Sequence, residues 1–263
     1  MYYLRLIKSF MRASIQAELA YRANFFISLL HSVLNLGTGV LGLVVLFSQV
    51  SAIHGWDFSA TLALLGTYLV LDALRNIFIA PGLDALAGLD GEVWTGRLDF
   101  TLLRPVNAQF VASFHQWRLL PVVDLLLGVG VVGVALSRTN QALTPWHLLA
   151  FLLALCVSLL VLYALLLAFA GLVFWSAGFL FTWVFDGLFQ LARYPVALYP
   201  GWTRFLLTWI IPVGIMTTIP AQALSGNLTI PTLLGAILFA LVLVTVATAI
   251  FQAGLRRYTS ASS

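Results

Sequence analysis

Three carboxylates, Asp72, Asp124 and Asp186, stand inside long apolar runs. A charge held at the middle of a bilayer costs roughly 2.5–3.5 kcal/mol on insertion scales, so such groups serve as ion pairs or line a polar path. Asp72 and Arg75 lie three apart on one helical stretch and can pair with each other. Asp186 has two readings: a partner for Arg193, two turns on, or a polar patch on a transport path, a role Asp72 could share. Ser158, Ser176 and Cys156 have no base nearby, so no nucleophile is set up for catalysis. His31, His54, His115 and His147 are scattered over different segments and never fall at metal-ligand spacing. Gly128, Gly130 and Gly133 match GxGxxG, but without the preceding strand and the later acid of a dinucleotide site. In mid-run they read as small residues that let helices approach. The single lysine, Lys8, lies in no phosphate-cradling loop. No catalytic group and no metal site is expected.

The elements that carry these residues belong to a membrane. Hydrophobic residues make up 62% of the 263 and charged residues 8%, with mean hydropathy +1.03. Soluble domains average about 45–50% apolar and 25% charged. The runs are long and apolar on all sides, unlike the alternating strands of a membrane barrel, so the chain is expected to be all-α. The lone Cys156 excludes an internal disulfide. The pI near 9.5 would suggest nucleic acid only if basic residues clustered on a soluble face. They do not, and the positive excess is read as topology.

In chain order, residues 1–22 place Leu4, Ile7, Met11 and Ile15 on one stripe and Arg5, Lys8 and Arg12 elsewhere. That pattern describes a helix lying in the interface plane with its cations toward lipid headgroups. Six spans are expected, at about 24–50, 58–79, 110–136, 146–170, 176–192 and 231–255, in one transmembrane domain. The fold-back between the fourth and fifth spans is expected near Gly171 to Gly178. Residues 193–229 are broken by Pro195, Pro200, Pro212 and Pro220. They read as re-entrant helices at the outer face or as an interfacial loop anchored by Trp and Tyr. Arg5, Lys8, Arg12, Arg22, Arg75, Arg97, Arg104, Arg118, Arg256 and Arg257 then fall on one side, and Arg138, Arg193 and Arg204 on the other. The richer side is cytoplasmic, and it holds both termini.

Residues 81–106 form the longest polar interruption and carry Asp84, Asp90, Glu92 and Asp99. Leu83, Leu86 and Leu89, with Val93 and Trp94, recur at near-helical spacing before Gly96 and Pro105 punctuate the run. A short amphipathic helix and a turn are expected, offered to a soluble cytoplasmic partner.

Two stretches carry a family resemblance. GRLDFTLLRPV, residues 96–106, fits a G-x-L-D-x-x-L-x-R-P-V loop. Arg193, Tyr194 and Pro195, then Tyr199, Pro200, Pro212 and Pro220, fit a later R-Y-P…Y-P…P stretch. In these the chain resembles permease subunits of bacterial ATP-binding-cassette transporters, in the six-span exporter class, over essentially its full length. The unusually Gly-rich third span departs from that pattern. The resemblance implies an N-terminal interfacial helix, a coupling helix in the 81–106 loop, and re-entrant helices before the last span. It implies a separate ATPase subunit in two copies, which carries the ATP and Mg, and no cofactor in this chain. It further implies a second permease, identical or paralogous, and the bacterial inner membrane. Asp90, Glu92, Arg97 and Asp99, with Arg104 and Pro105, would contact the ATPase; Trp94 would fill a pocket on it and Gly96 would provide the turn. The competing readings are an intramembrane lipid-modifying enzyme and a non-transporting assembly protein.

Overall fold

Backbone polar groups in lipid must be satisfied within the segment, and an unbroken apolar run does this as a helix. The computed structural model describes residues 2–19, 22–138, 144–176 and 181–258. Among these, four helices have the length and apolarity of a membrane crossing: α2 (Arg22–Gln49), α3 (Phe58–Phe78), α8 (Pro145–Leu172) and α12 (Ile230–Arg257). Ahead of them runs α1 (Tyr2–Leu19). A two-residue hairpin, β1 (Ala52–Ile53) with β2 (Trp56–Asp57), links α2 to α3, and Asp57 caps α3 by accepting from the Ala60 N–H at 2.8 Å. Buried residues form 72% of the most apolar stretch of α3 but 17% of those of α2 and α12. The second crossing is therefore the centre of the bundle.

Against α3 packs α7 (Val122–Arg138), running antiparallel: Val132 lies against Gly66 and Gly128 against Val70. A Cβ on Gly128 would stand 2.8 Å from the Val70 nitrogen, so only glycine permits this approach. The expected third span, 110–136, is not continuous. Its first part is the separate short helix α6 (Ala108–Phe114), followed by an irregular passage through residues 115–121. Pro121 supplies no N–H and disfavours helix in the residue before it, which sets the break.

The fifth expected span is also different. Residues 177–180, part of the expected fold-back, lie outside the described residues. After them α9 (Phe181–Phe189) has nine residues, too few to cross. It tightens into 3₁₀ turns at Gln190–Arg193 and Val196–Leu198. The path nevertheless climbs the whole bundle. Phe181 stacks on Phe169 at 5.9 Å, Phe189 meets Tyr68 at 5.1 Å, and Tyr194 lies against Gly42 of α2.

α8 and α12 are parallel, since Gly171 packs on Phe251 and Gly254 on the Gly171 carbonyl. Parallel neighbours need an odd number of crossings between them, and residues 181–199 supply that one. The next stretch therefore starts and finishes at the same end of the bundle. It is bent by 73° between 201–210 and 214–224. It comprises α10 (Gly201–Phe205), π-helical turns at Leu206–Ile210 and Gly214–Thr218, and α11 (Ile219–Leu224). At the bottom of the dip the Ile215 carbonyl accepts from Ser158 Oγ of α8 at 3.4 Å. That bond replaces part of the backbone pairing lost at the bend.

Candidate functional site

Residues 81–106 close the end of the bundle that also holds α1, the start of α2 and the end of α12. The short amphipathic helix expected from the spacing of Leu83 to Trp94 does not form as one unit, since residues 85–97 run through turns. The segment is two five-residue helices, α4 (Ala80–Asp84) and α5 (Leu98–Leu102), joined by turns. Gly96, with φ of +73°, turns the chain where a side chain would be strained. Leu83, Leu86, Val93 and Leu98 face the core, and the outward face carries Leu89, Trp94, Phe100 and Leu103. Leu103 is 82% exposed and Phe100 70%, more than Trp94 at 53%. Asp90, Arg97, Arg104 and Pro105 are exposed on the same segment, so its outward side mixes apolar anchors with charges. The sequence pattern missed Phe100 and Leu103; both lie inside the GRLDFTLLRPV stretch.

The polar residues of the loop divide by what they touch. Arg97 stitches the loop to itself, donating through Nη2 to the Asp90 carbonyl at 2.6 Å and through Nε to Thr95 Oγ1 at 3.2 Å. Glu92 turns inward, with Oε1 3.2 Å from His115 Nε2. Asp99 lies by the Tyr258 hydroxyl at the end of α12. That phenol is pushed up to about 12, by burial first and then by the Asp99 carboxylate. Glu92, Arg97 and Asp99 therefore brace the loop, leaving Asp90 and Arg104 as its outward charges.

The passage through residues 115–121 is where several elements meet. The Trp117 N–H donates to Ser14 Oγ at 3.1 Å and the Leu119 N–H to Glu18 Oε2 at 2.7 Å, both on α1. The Arg118 N–H donates to the Ile77 carbonyl of α3 at 3.3 Å, and the Trp117 ring meets Phe78 edge-on at 5.1 Å. With His115 on Glu92, the break joins the loop, the amphipathic helix and the central crossing.

Two residues before Ile77 begins a polar cavity of about 280 Å³ between α2, α3 and the α9 path. Arg75 Nη1 donates to Asp186 Oδ1 at 2.6 Å, Nη2 donates to Asn76 Oδ1 at 3.0 Å, and Nε lies 3.7 Å from Asp72 Oδ1. Phe185 and Phe189 sit 5.4 and 5.5 Å from the guanidinium carbon. The partner of Asp186 is thus Arg75, and the Asp186–Arg193 pairing is corrected. Arg193 instead donates to Asn35 Oδ1 of α2 and covers the Tyr68 ring at 5.3 Å. It lies inside the bundle and not in an outer loop. The reason is distance in sequence: 111 residues separate Arg75 from Asp186, beyond any local spacing rule.

Tyr194, Pro195, Tyr199 and Pro200 belong to the α9 path and its exit, with the Tyr199 hydroxyl donating to the Leu191 carbonyl at 2.9 Å. Pro212 sits at the bend and Pro220 at the start of α11. No cluster of His, Cys, Asp or Glu among the described residues could hold a metal ion. The sequence profile of one family, described as ABC-2 family transporter protein, matches residues 33–262. No curated protein and no solved structure matches the chain.

Proposed function

Because the chain belongs to the ABC-2 transporter family, we propose that its 81–106 end is where ATP hydrolysis on a partner is turned into movement of the bundle. The chain is a multi-pass membrane permease of an ABC transporter and partners with an ABC ATPase subunit. In our reading the ATPase is present in two copies and holds the ATP and Mg, while a second permease, identical or paralogous, completes the pathway. Transport runs outward across the bacterial inner membrane, both termini are cytoplasmic, and the bent 201–226 stretch is re-entrant from the outer face. The Asp72–Arg75–Asp186 cavity lines the path.

One observation carries this reading: Leu89, Trp94, Phe100 and Leu103 are exposed together on the most polar part of the chain. Apolar side chains exposed on one segment with the outward charges Asp90 and Arg104 are unsuited to lipid and suited to a protein partner. Interface energy concentrates in a few such anchors, each worth about 2 kcal/mol or more, roughly thirtyfold in affinity. Trp94→Ala combined with Leu103→Asp is expected to lose the ATPase in pull-down while the detergent-purified permease keeps its thermal midpoint. Wild-type retention of the ATPase by this double variant would move the coupling site elsewhere.

A further inference from the structure

The cavity between α2, α3 and the α9 path is uneven in charge. Toward the loop end, two carboxylates, Asp72 and Asp186, share one guanidinium, Arg75. Arg75 is 5% exposed, and its Nε is buried without a hydrogen-bond acceptor. Further in, among the described residues, Arg193 makes its direct contacts with neutral groups, Asn35 and Tyr68, interacts with the Asp72 carboxylate only through space, and has its Nε likewise buried without an acceptor. The side chain of Asp186 is 41% exposed and gives Arg75 only Oδ1. Asp186 and Arg193 are seven residues apart, about 10 Å along a helical path. The four charges sum to zero, yet two carboxylates meet one guanidinium at one end, and at the other Arg193 has no carboxylate in direct contact. A lone cation or a lone anion would satisfy one end and leave the other unmatched.

We propose that this cavity receives a zwitterionic head group, its cationic nitrogen toward Asp186 and its phosphate or carboxylate oxygens toward Arg193. Guanidinium binds such oxygens with charge-assisted, often paired hydrogen bonds, and the free Arg193 edge is available for them. The exposed His31 and Gln190 line the mouth. His31 lies nine residues into α2, about 13 Å along the helix from its start. A molecule could enter there from the bilayer as an amphiphile, or from water as a soluble zwitterion along the path. This deepens the transport-path reading and names the class of molecule carried.

The test uses the detergent-purified full chain and four probes, with affinity read from intrinsic tryptophan fluorescence. They are dihexanoyl phosphatidylethanolamine, dihexanoyl phosphatidylglycerol, a dihexanoyl trimethylammonium cation, and glycerophosphoethanolamine without chains. The zwitterionic amphiphile is expected to bind at least about tenfold tighter than either singly charged amphiphile, the scale of one charge-assisted hydrogen bond. Arg193→Gln should drop it to the level of the cation, Asp186→Asn to the level of the anion, and Arg193→Lys should keep most of the preference. Equal binding of the three amphiphiles to the wild-type chain overturns the proposal, as does a preference that survives Arg193→Gln. The wild-type panel decides alone if a variant fails to fold. Binding of the chainless probe as tight as that of its amphiphile assigns a water-soluble zwitterion, and weaker binding assigns an amphiphile. Preferential binding with no effect on ATPase activity of the assembled transporter would keep the head-group site and overturn the transport path alone.

Discussion

Arg75 is the residue on which the polar interior depends. Removing one member of a buried ion pair leaves the other charge without compensation, at a cost of about 3–5 kcal/mol. Arg75→Met would leave Asp72 and Asp186 facing a cavity partly walled by Phe189, with Phe185 beside the vacated guanidinium position. A destabilisation of about that size is expected in thermal unfolding of the purified permease. Asp186→Asn keeps an oxygen that can accept from Nη1, and its site is more open to water. The expected loss is smaller, about 1–2 kcal/mol. Equal damage from the two variants would mean that the charge of Asp186 holds the fold, and not only its hydrogen bond.

The elements divide into those that pack and those that transmit. α3 and α7 approach through Gly128, where backbone meets backbone and no flexible side chain can yield. Gly128→Leu should separate the pair and cost about 1–3 kcal/mol by overpacking, read as a lowered thermal midpoint. An unchanged midpoint would show that α7 can slide along α3. The 115–121 junction is the transmitting element. Glu92→Ala cuts the link from the loop to His115 while leaving the outward apolar anchors in place. The ATPase is expected to stay bound and to hydrolyse ATP, with less substrate moved per ATP in proteoliposomes. A wild-type ratio would remove Glu92 from the coupling route. Hydropathy could place α2, α3, α8 and α12, because each is one long apolar run. It placed a fifth span at 176–192 but not its form, a path of short helical pieces, nor the break before Pro121, whose freed N–H groups find Ser14, Ile77 and Glu18 far away in sequence.

On the scale of the whole molecule, every described Lys and Arg outside the bundle lies at the loop end, apart from Arg138 and Arg204. With Arg193 moved into the interior, the positive bias is sharper than the sequence alone suggested. Cysteine labelling in a Cys156→Ala background tests the orientation: Thr95→Cys should be reached only from the cytoplasm and Asn227→Cys only from outside. Outer-side labelling of Thr95→Cys in intact cells would invert the topology. The class of the protein was legible because composition alone excludes a soluble domain. The loop's position was legible because it is the longest polar interruption of the hydrocarbon. The identity of its outward anchors was not, because burial of Leu83 and Leu86 against exposure of Phe100 and Leu103 depends on how the turns between α4 and α5 fold.

The partnership of Arg75 with Asp186 also sets an order of events during synthesis. Arg75 enters the bilayer with the second crossing, more than a hundred residues before its carboxylate partner is made. The stretch that brings Asp186 has only nine α-helical residues and is a poor candidate for insertion unaided. It would thus be drawn in by helices already standing, and until then the nascent chain carries a guanidinium matched by Asp72 alone. A chain whose translation stops before residue 181 would keep that mismatch permanently, and membrane quality control would have a marked charge by which to find it.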